Sequence, residues 1–292
     1  MIPRIVAAFA AILACPAISF AVTPSTRQAV QNVCVGGYVG FQNLSLANTR
    51  ELRATGRGCL YLHGSAVGPA TAAADRAVLR SLGSMMGIFE AGENEFFLPG
   101  NAYDTYLAAS GWVPRHILLN TPSVDDFVTS PGHADLIAYK AWVDQARTRF
   151  PGISVEAVMT PGGGEKHFNQ PFATSDYWRD ARLAAIYGGS LAIDIPSRNF
   201  FIVPRWAKFL ESQIRWANST GVRSDVILSP GGSRSFMADT KAVLARLVAD
   251  GAVPTSITIE NYEPGTASTI GEETSPESLN AVALWVAQHA PR

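Results

Sequence analysis

The sequence has almost no net charge and lacks the short motifs of two large enzyme classes. Its 23 Lys and Arg residues nearly balance its 24 Asp and Glu residues, which leaves a formal net charge of −1. This balance gives no electrostatic reason to expect a nucleic acid or an anionic membrane surface as a partner. The early Gly-rich fingerprint of dinucleotide-binding folds and the G-x-S-x-G elbow of α/β-hydrolases are also missing. What remains is an ordinary globular composition, 47% hydrophobic, with room for one large domain.

Long apolar runs are absent after the first 21 residues. Within them, a single positive charge at Arg4 precedes an almost wholly apolar run from Ile5 to Ala21. The run ends in Ser19 and Ala21, two small residues spaced as a signal-peptidase site requires. The pattern predicts a cleaved signal peptide over 1–21, with a membrane anchor as the alternative. The mature chain, 22–292, is then expected to be secreted or periplasmic, with no membrane span.

Cysteine is scarce, and the mature chain keeps two of the three, Cys34 and Cys59. An even number in an exported chain indicates a disulfide, whereas free buried cysteines are the alternative. The two residues fall near the starts of the first two predicted strands, on the same face. Neighbouring strands lie about 4.8 Å apart, which is within disulfide reach. The sequence therefore predicts a Cys34–Cys59 bond inside the sheet, at the rim opposite the strand ends.

The hydrophobic pattern alternates eight times between strand and helix periodicity. Strict alternation implies parallel strands joined by right-handed crossovers. Eight such units predict an α/β fold, a single (β/α)8 TIM barrel over 22–292, with an open doubly wound sheet as the alternative. The strands are expected over 35–42, 58–63, 87–90, 116–120, 154–160, 190–195 and 225–229 and within 256–265.

The last predicted strand illustrates how the register assigns a polar mouth. Ile257 and Ile259 point one way, and Thr258, Glu260 and Tyr262 point the other. If the apolar positions of every strand face the helices, the remaining positions face the barrel interior. Enzymes of this fold carry their chemistry at the carboxyl ends of the strands. The inward positions at those ends are Gln42, His63, Glu90, Asn120, Thr160, Asp194, Ser229 and Glu260.

Three of these inward residues are carboxylates: Glu90, Asp194 and Glu260. Glycoside hydrolysis needs two, one to protonate the leaving oxygen and one to act as nucleophile or to activate water. We therefore predict that these three include the catalytic residues, and we expect no cofactor or metal. Aromatic residues in the rim loops suit sugar rings, and Trp112, Phe200 and Phe201 are among them. The candidate substrate-binding residues are Gln42, His63, Asn120, Arg198, Ser229, Arg234 and Tyr262.

On these residues and this fold, the chain resembles secreted TIM-barrel glycoside hydrolases, without matching a specific family. The resemblance implies hydrolysis of an oligo- or polysaccharide by carboxylate acid/base catalysis at the barrel mouth. The largest barrel group of retaining glycosidases carries glutamates at the ends of strands four and seven, where this chain has Asn120 and Ser229. The acidic run on strand four typical of chitinase-like barrels is also absent.

Three other functions remain open at the level of sequence. A metal-dependent sugar isomerase or epimerase would gather Glu156, Asp194 and Glu260 around a divalent ion. A phosphate-group enzyme would use the Gly-rich loop between Ser229 and Ser235, which includes Arg234. A non-catalytic carbohydrate-binding barrel would keep the aromatic loops and not need the carboxylates.

Overall fold

The structure is a computed structural model. It describes residues 28–37, 46–63, 69–82, 86–91, 102–112, 114–119, 134–159, 176–197, 199–230, 235–261 and 278–292. The predicted signal peptide over 1–21 lies outside these residues.

Strands and helices alternate along the described chain. The strands are β1 Asn32–Gly37, β2 Gly58–His63, β3 Met86–Ala91, β4 His116–Leu119, β5 Ser154–Met159, β6 Gly189–Pro196, β7 Arg223–Ser229 and β8 Ser256–Asn261. The helices are α1 Leu46–Ala54, α2 Pro69–Leu82, α3 Ala102–Ser110, α4 Ala134–Arg149, α5 Asp176–Gly188, α6 Asn199–Ile202, α7 Pro204–Thr220, α8 Phe236–Ala249 and α9 Leu279–His289.

All strand pairings are parallel and follow the order of the chain. Each strand pairs with the next, and β1 also pairs with β8, so that the pairings join the strands in a ring. The predicted class, parallel strands that alternate with helices and curl into a barrel-like sheet, is confirmed. The helices cover the outer face of this sheet because parallel strands need crossovers that lie on its faces.

The first strand differs from its prediction over 35–42. It begins three residues earlier, at Asn32, which pairs with Ser256, and its described part runs to Gly37. Gly36 and Gly37 have φ values of 150° and 122°, which glycine adopts more readily than other residues. The predicted residues 38–42, which include Gln42, lie outside the described residues.

The ends of two late helices carry recognisable capping residues. Helix α7 has a proline at its start, and Gly221, whose φ of 74° lies in the left-handed region, follows its last residue as the C-cap. Helix α9 begins at Leu279, and the hydroxyl of Ser278 accepts a hydrogen bond of 3.2 Å from the backbone N–H of Ala281. Ser278 is therefore the N-cap of α9.

The apolar face of the strands packs against the helices, as the register argument predicts. Leu60 and Leu62 of β2 belong to the same buried core as helix residues such as Phe209 and Val282. Burial of this face is the dominant favourable contribution to folding, because it removes the largest apolar area from water. The other strand residues predicted to face the helices and found in this core are Ile117, Val155, Ala157, Met159, Ile193, Ile195, Val226, Leu228, Ile257 and Ile259.

A second, smaller apolar cluster fills the inside of the sheet. We call it the interior layer; it comprises Cys34, Cys59, Tyr61, Leu118, Val158, Ala192 and Ile227. The predicted Cys34–Cys59 disulfide is present, between paired positions on β1 and β2 whose Cα atoms are 4.3 Å apart. Its location agrees with the prediction, because it faces the inside of the sheet near the amino ends of the strands: Cys59 is the second residue of β2, and Sγ of Cys34 lies 4.0 Å from Oγ of Ser256, the first residue of β8. The bond therefore links the first two strands through the packed interior.

Arg57, just before β2, ties the two ends of the described chain together. Its Nη1 donates to the carbonyls of Val30 at 2.9 Å and Pro291 at 3.0 Å. Its Nη2 donates to the carbonyls of Ala287 and Ala290 at the end of α9, the latter at 3.2 Å. The last carbonyls of a helix have no partners within the helix, so this guanidinium supplies the donors that they need.

We expect Arg57→Met to lower the free energy of unfolding by about 3 kcal/mol, because several buried carbonyls lose a charged donor. Urea unfolding followed by circular dichroism measures the change. The matched control is Arg53→Met, because Arg53 is an exposed arginine on neighbouring α1. Equal unfolding midpoints for the two variants would contradict the assigned role of Arg57.

Candidate functional site

Two of the predicted catalytic carboxylates occupy equivalent positions near the carboxyl ends of their strands. Asp194 follows the interior residue Ala192 by two positions on β6, and Glu260 follows Thr258 by two positions on β8. Alternate residues of a strand face the same side of the sheet, so both positions face the interior. Asp194 is partly exposed, whereas Glu260 is only 3% exposed. The interior layer closes the space beneath them.

Two further predicted site residues lie at paired positions on adjacent strands. His63 ends β2 and is the register partner of Glu90 on β3. The backbone register therefore brings these two positions together at the same end of the sheet as Asp194 and Glu260. Five predicted substrate-binding residues lie outside the described residues: Gln42, Asn120, Arg198, Arg234 and Tyr262.

Glycines occupy the position beside Glu260 on β1. Gly36 is the register partner of both Glu260 and Tyr61, and Gly37 is the partner of Asn261. A Cβ atom on Gly36 would lie 1.9 Å from the carbonyl oxygen of Tyr61, and one on Gly37 would lie 2.5 Å from Oδ1 of Asn261. The end of β1 therefore approaches both neighbouring strands more closely than any side chain permits. The sequence prediction missed this role, although the Gly-Gly pair was its visible signal.

Replacement of Gly36 by alanine is expected to destabilise the fold by more than about 3 kcal/mol. The new methyl group overlaps a strand carbonyl, and the backbone also has a φ that alanine disfavours. Gly56→Ala is the control, because its φ of 75° is also positive but no atom lies within 4 Å of the place its methyl group would take. Thermal unfolding of both variants measures the two losses of stability. Their difference gives the cost of the steric overlap, because both variants place alanine at a positive φ. Similar losses of stability would mean that the overlap relaxes at little cost.

Ser229, at the end of β7, combines a fixed backbone with an unused hydroxyl. Its carbonyl accepts hydrogen bonds from the backbone N–H of Ser197 at 2.9 Å and from the Ser197 hydroxyl at 3.1 Å. These bonds join the end of β6 to the end of β7. The Ser229 side chain is fully buried, and its oxygen forms no hydrogen bond with any residue that the structure describes. It follows Ile227 by two positions and is therefore on the interior face.

The inside of the sheet is polar on the other side of the interior layer, towards the amino ends of the strands. We call this set of residues the interior polar cluster; it comprises His116, Glu156, Ser190, Asp225 and Thr258. The Thr258 hydroxyl donates to Oδ2 of Asp225 at 2.8 Å, and Nδ1 of His116 lies 4.0 Å from Oε1 of Glu156. Each of these side chains is at most 6% exposed.

Burial determines the charge state of this cluster. Desolvation raises the pKa of Asp225 to about 6, and the bond from Thr258 and the charge of Arg223 oppose this rise. Desolvation, and then the charge of Asp225, raise the pKa of Glu156 well above its ordinary value. Desolvation, followed by the charge of Arg223, lowers the pKa of His116 to about 3. His116 is therefore uncharged at neutral pH, and its approach to Glu156 is not an ion pair.

This arrangement counts against the metal site that Glu156, Asp194 and Glu260 would form. Glu156 precedes Val158 of the interior layer on β5, whereas Asp194 follows Ala192 of that layer on β6. The interior layer therefore separates Glu156 from the other two carboxylates. No group of at least three His, Cys, Asp or Glu side chains in the described ranges is arranged to hold a metal ion.

Two of the aromatic residues predicted to lie in rim loops serve the core instead. Trp112 lies between α3 and β4, at the amino end of the sheet, and packs so closely on Gly87 that a Cβ there would lie 2.1 Å from its ring. Phe200 is buried and meets the ring of Phe201 edge-on, with 4.9 Å between centroids. Phe201 itself is 46% exposed on α6, directly after β6, and presents an aromatic surface on the mouth side.

Comparisons with known proteins found structures of similar fold but did not identify a sequence family. No family model and no curated protein sequence matches the chain. A GH18 chitinase from Pseudoalteromonas aurantia superposes with a TM-score of 0.51 at 11% identity, over 88% of this chain and 99% of that one. A protein assigned as a sugar phosphate isomerase/epimerase from Anabaena variabilis gives 0.48 at 10% identity, over 88% and 96% of the two chains. Pyruvate kinase from Cryptosporidium parvum gives 0.49 at 9% identity, over 90% of this chain and 71% of that one.

The TM-score of the GH18 chitinase supports a barrel-type fold. Sequence identities this low do not transfer an activity from one protein to another. Of these three proteins, the GH18 chitinase has the highest TM-score, and the likeness of the fold rests on it. Among the described residues, no helix combines the length and the apolar character that a membrane span requires.

Proposed function

We propose that the chain is a secreted or periplasmic glycoside hydrolase that acts on an oligo- or polysaccharide at the carboxyl-terminal mouth of a complete (β/α)8 barrel. The barrel spans 22–292 and follows a cleaved signal peptide over 1–21. The observation that carries the proposal is the pair of interior-facing carboxylates, Asp194 and Glu260, at the ends of β6 and β8. Glu90 on β3 is the third candidate.

The register supports a common level for these carboxylates. The strands of an eight-stranded barrel are tilted. The residue at the same height along the barrel axis on the next strand is therefore about one position after the register partner. Asp194 pairs with Ile227, so its level on β7 is Leu228; Leu228 pairs with Ile259, so the level on β8 is Glu260.

The same one-residue offset places His63 at the height of Glu260. Glu260 pairs with Gly36, so its level on β1 is Gly37; Gly37 pairs with Leu62, so the level on β2 is His63. In such barrels, the side chains of alternate strands form a common layer. His63, Asp194 and Glu260 fit this rule, because they lie on the even-numbered strands β2, β6 and β8. The substrate then contacts a ring of polar groups around the two carboxylates.

The roles follow from separation and burial. Strands β6 and β8 are two strand spacings apart, about 10 Å, and side chains that point inward converge. A separation of about 5 to 9 Å between carboxyl groups covers both stereochemical classes of glycosidase. The buried Glu260 suits the acid that protonates the leaving oxygen, since burial disfavours the charged form. The more exposed Asp194 suits the nucleophile or the base that activates water.

Other features fit an exported enzyme that binds carbohydrate. The Cys34–Cys59 disulfide is of a kind that persists in oxidising compartments. The unused Ser229 hydroxyl and the exposed Phe201 ring are suited to a sugar hydroxyl and a sugar face. Gln42, His63, Asn120, Arg198, Arg234 and Tyr262 complete the proposed substrate-binding set. Chitin is not favoured as the substrate, because β4 lacks the acidic run of chitinase-like barrels.

The test is a screen of the mature protein, 22–292, against polysaccharides and aryl glycosides with and without EDTA. We expect release of reducing sugar or aryl alcohol that EDTA does not change. Activity that EDTA abolishes would replace the proposal with a metal-dependent sugar enzyme. A sugar that raises the melting temperature without being cleaved would indicate a carbohydrate-binding barrel without catalysis.

A further inference from the structure

The interior polar cluster contains groups that face one another but do not bond. Glu156 is the register partner of Ser190 on β6 and of Leu118 on β4, and His116 lies two residues before Leu118. The 4.0 Å between Nδ1 of His116 and Oε1 of Glu156 exceeds the range of a direct hydrogen bond. Two polar atoms at this separation are within reach of a single bridging molecule of water.

Five buried polar atoms of the cluster lack a well-aligned hydrogen bond to any residue that the structure describes, although Ser190 and Ser256 lie near enough to lower the pKa values of Glu156 and Asp225, respectively. A buried donor or acceptor left without a partner costs about 1 to 3 kcal/mol, so such atoms are expected to be paired by solvent or ligand. The five atoms are Nδ1 of His116, Oε1 and Oε2 of Glu156, Oγ of Ser190 and Oδ1 of Asp225.

The chemistry of the cluster favours a neutral ligand over a cation. His116 is uncharged because burial lowers its pKa to about 3, and burial raises the pKa of Glu156, which favours its neutral form. The nearby Arg223 already supplies a positive charge that lowers the pKa values of both carboxyls. A molecule that both donates and accepts hydrogen bonds satisfies this mixed set, and a divalent ion does not.

The interior layer also limits what can enter. Val158 and Ile227 follow Glu156 and Asp225 along their strands and separate the cluster from the mouth. At the other end, Ser154 and Arg223 begin their strands and are only partly buried. A small solvent molecule that enters from the amino end therefore fits, whereas a sugar bound at the mouth does not reach the cluster.

We propose that the barrel interior holds a bound water site, in which one or more ordered water molecules bridge His116, Glu156, Ser190 and Asp225. The site is independent of the proposed hydrolase activity. It satisfies the polar atoms that the fold buries beneath the mouth, as internal waters do in other proteins.

The first test is a crystal structure of the mature wild-type protein at a resolution that shows water. We expect a density peak about 2.7 to 3.2 Å from both Glu156 and His116. A metal ion at this position, with shorter ligand distances and confirmed by elemental analysis, would overturn the proposal. An empty site would overturn it equally.

The second test counts long-lived internal waters in solution by oxygen-17 magnetic relaxation dispersion. Glu156→Met, which keeps the volume but removes both oxygens, is expected to lower the count relative to the wild type. Leu247→Met, at a buried apolar residue on α8 outside the strand ring, is the control and should leave the count unchanged. If Glu156→Met does not fold, His116→Phe takes its place. An unchanged count in a folded cluster variant would contradict the proposal.

Discussion

Glu260→Gln is expected to lower kcat by about 10²- to 10⁴-fold on a substrate with a poor leaving group, with KM little changed. Glutamine keeps the size and one hydrogen-bonding oxygen but cannot transfer a proton, and acid/base catalysis contributes a factor of this size. The loss should be smaller on an aryl glycoside whose leaving group needs little protonation. Steady-state kinetics on the two substrate types measures the difference.

Glu51→Gln is the matched control, because Glu51 is an exposed carboxylate on α1, away from the strand ends. Its kinetics and the melting temperatures of both variants should equal those of the wild type. An equal loss on both substrates would remove Glu260 from the acid role. Full activity in Glu260→Gln would leave Glu90 and Asp194 as the catalytic pair.

The contribution of Asp225 and Glu156 to stability is expected to fall as the pH rises from about 5 to about 8. His116 contributes in the opposite direction, because its pKa is lowered from 6.5 to about 3 and its stabilising effect is gained as the pH rises through that range. Burial raises the pKa of Asp225 to about 6 and that of Glu156 well above its ordinary value. The folded state therefore holds protons that the unfolded chain, with carboxyl pKa values near 4, has already released. The stability that these groups contribute is complete below about pH 4 and is lost as the pH passes through the folded-state values. For Asp225 alone the change is on the order of 3 kcal/mol.

Urea unfolding of the wild type and of Glu156→Gln at several pH values isolates the contribution of Glu156. Glutamine stays neutral at every pH, so the difference in unfolding free energy between the two proteins should shift in favour of the variant as the pH rises. The exposed Glu51→Gln variant should show no such shift. A difference between the wild type and Glu156→Gln that stays constant between about pH 5 and about pH 8 would contradict the assignment.

Local sequence patterns were sufficient to predict most of the fold. The two-residue period of Ile257 and Ile259 predicted which face of β8 meets the helices, and the structure has both in the main core. The same reasoning paired Cys34 with Cys59, because the two fall on the same face of adjacent strands. These predictions succeed because the strand period is short and one face must be apolar.

Patterns that depend on distant neighbours could not be predicted. Gly36 and Gly37 must be glycine because the carbonyl of Tyr61 and the side chain of Asn261 occupy the space that side chains would need. Trp112 is of a residue type that often binds sugars, but it packs on Gly87 at the amino end of the sheet. Both outcomes depend on contacts between segments that are far apart in the sequence or in different elements.

By itself, the sequence determined the parallel alternation of strands and helices, the outward apolar face and the inward polar positions, because these follow from periodicity within each segment. Only the tertiary structure decided what those polar positions become. Asp194 and Glu260 lie above the interior layer, whereas Glu156 and Asp225 lie below it, where desolvation alters their protonation. The register between neighbouring strands sets how far each residue lies from the mouth. That register depends on pairs of strands, so the sequence of one strand does not reveal it.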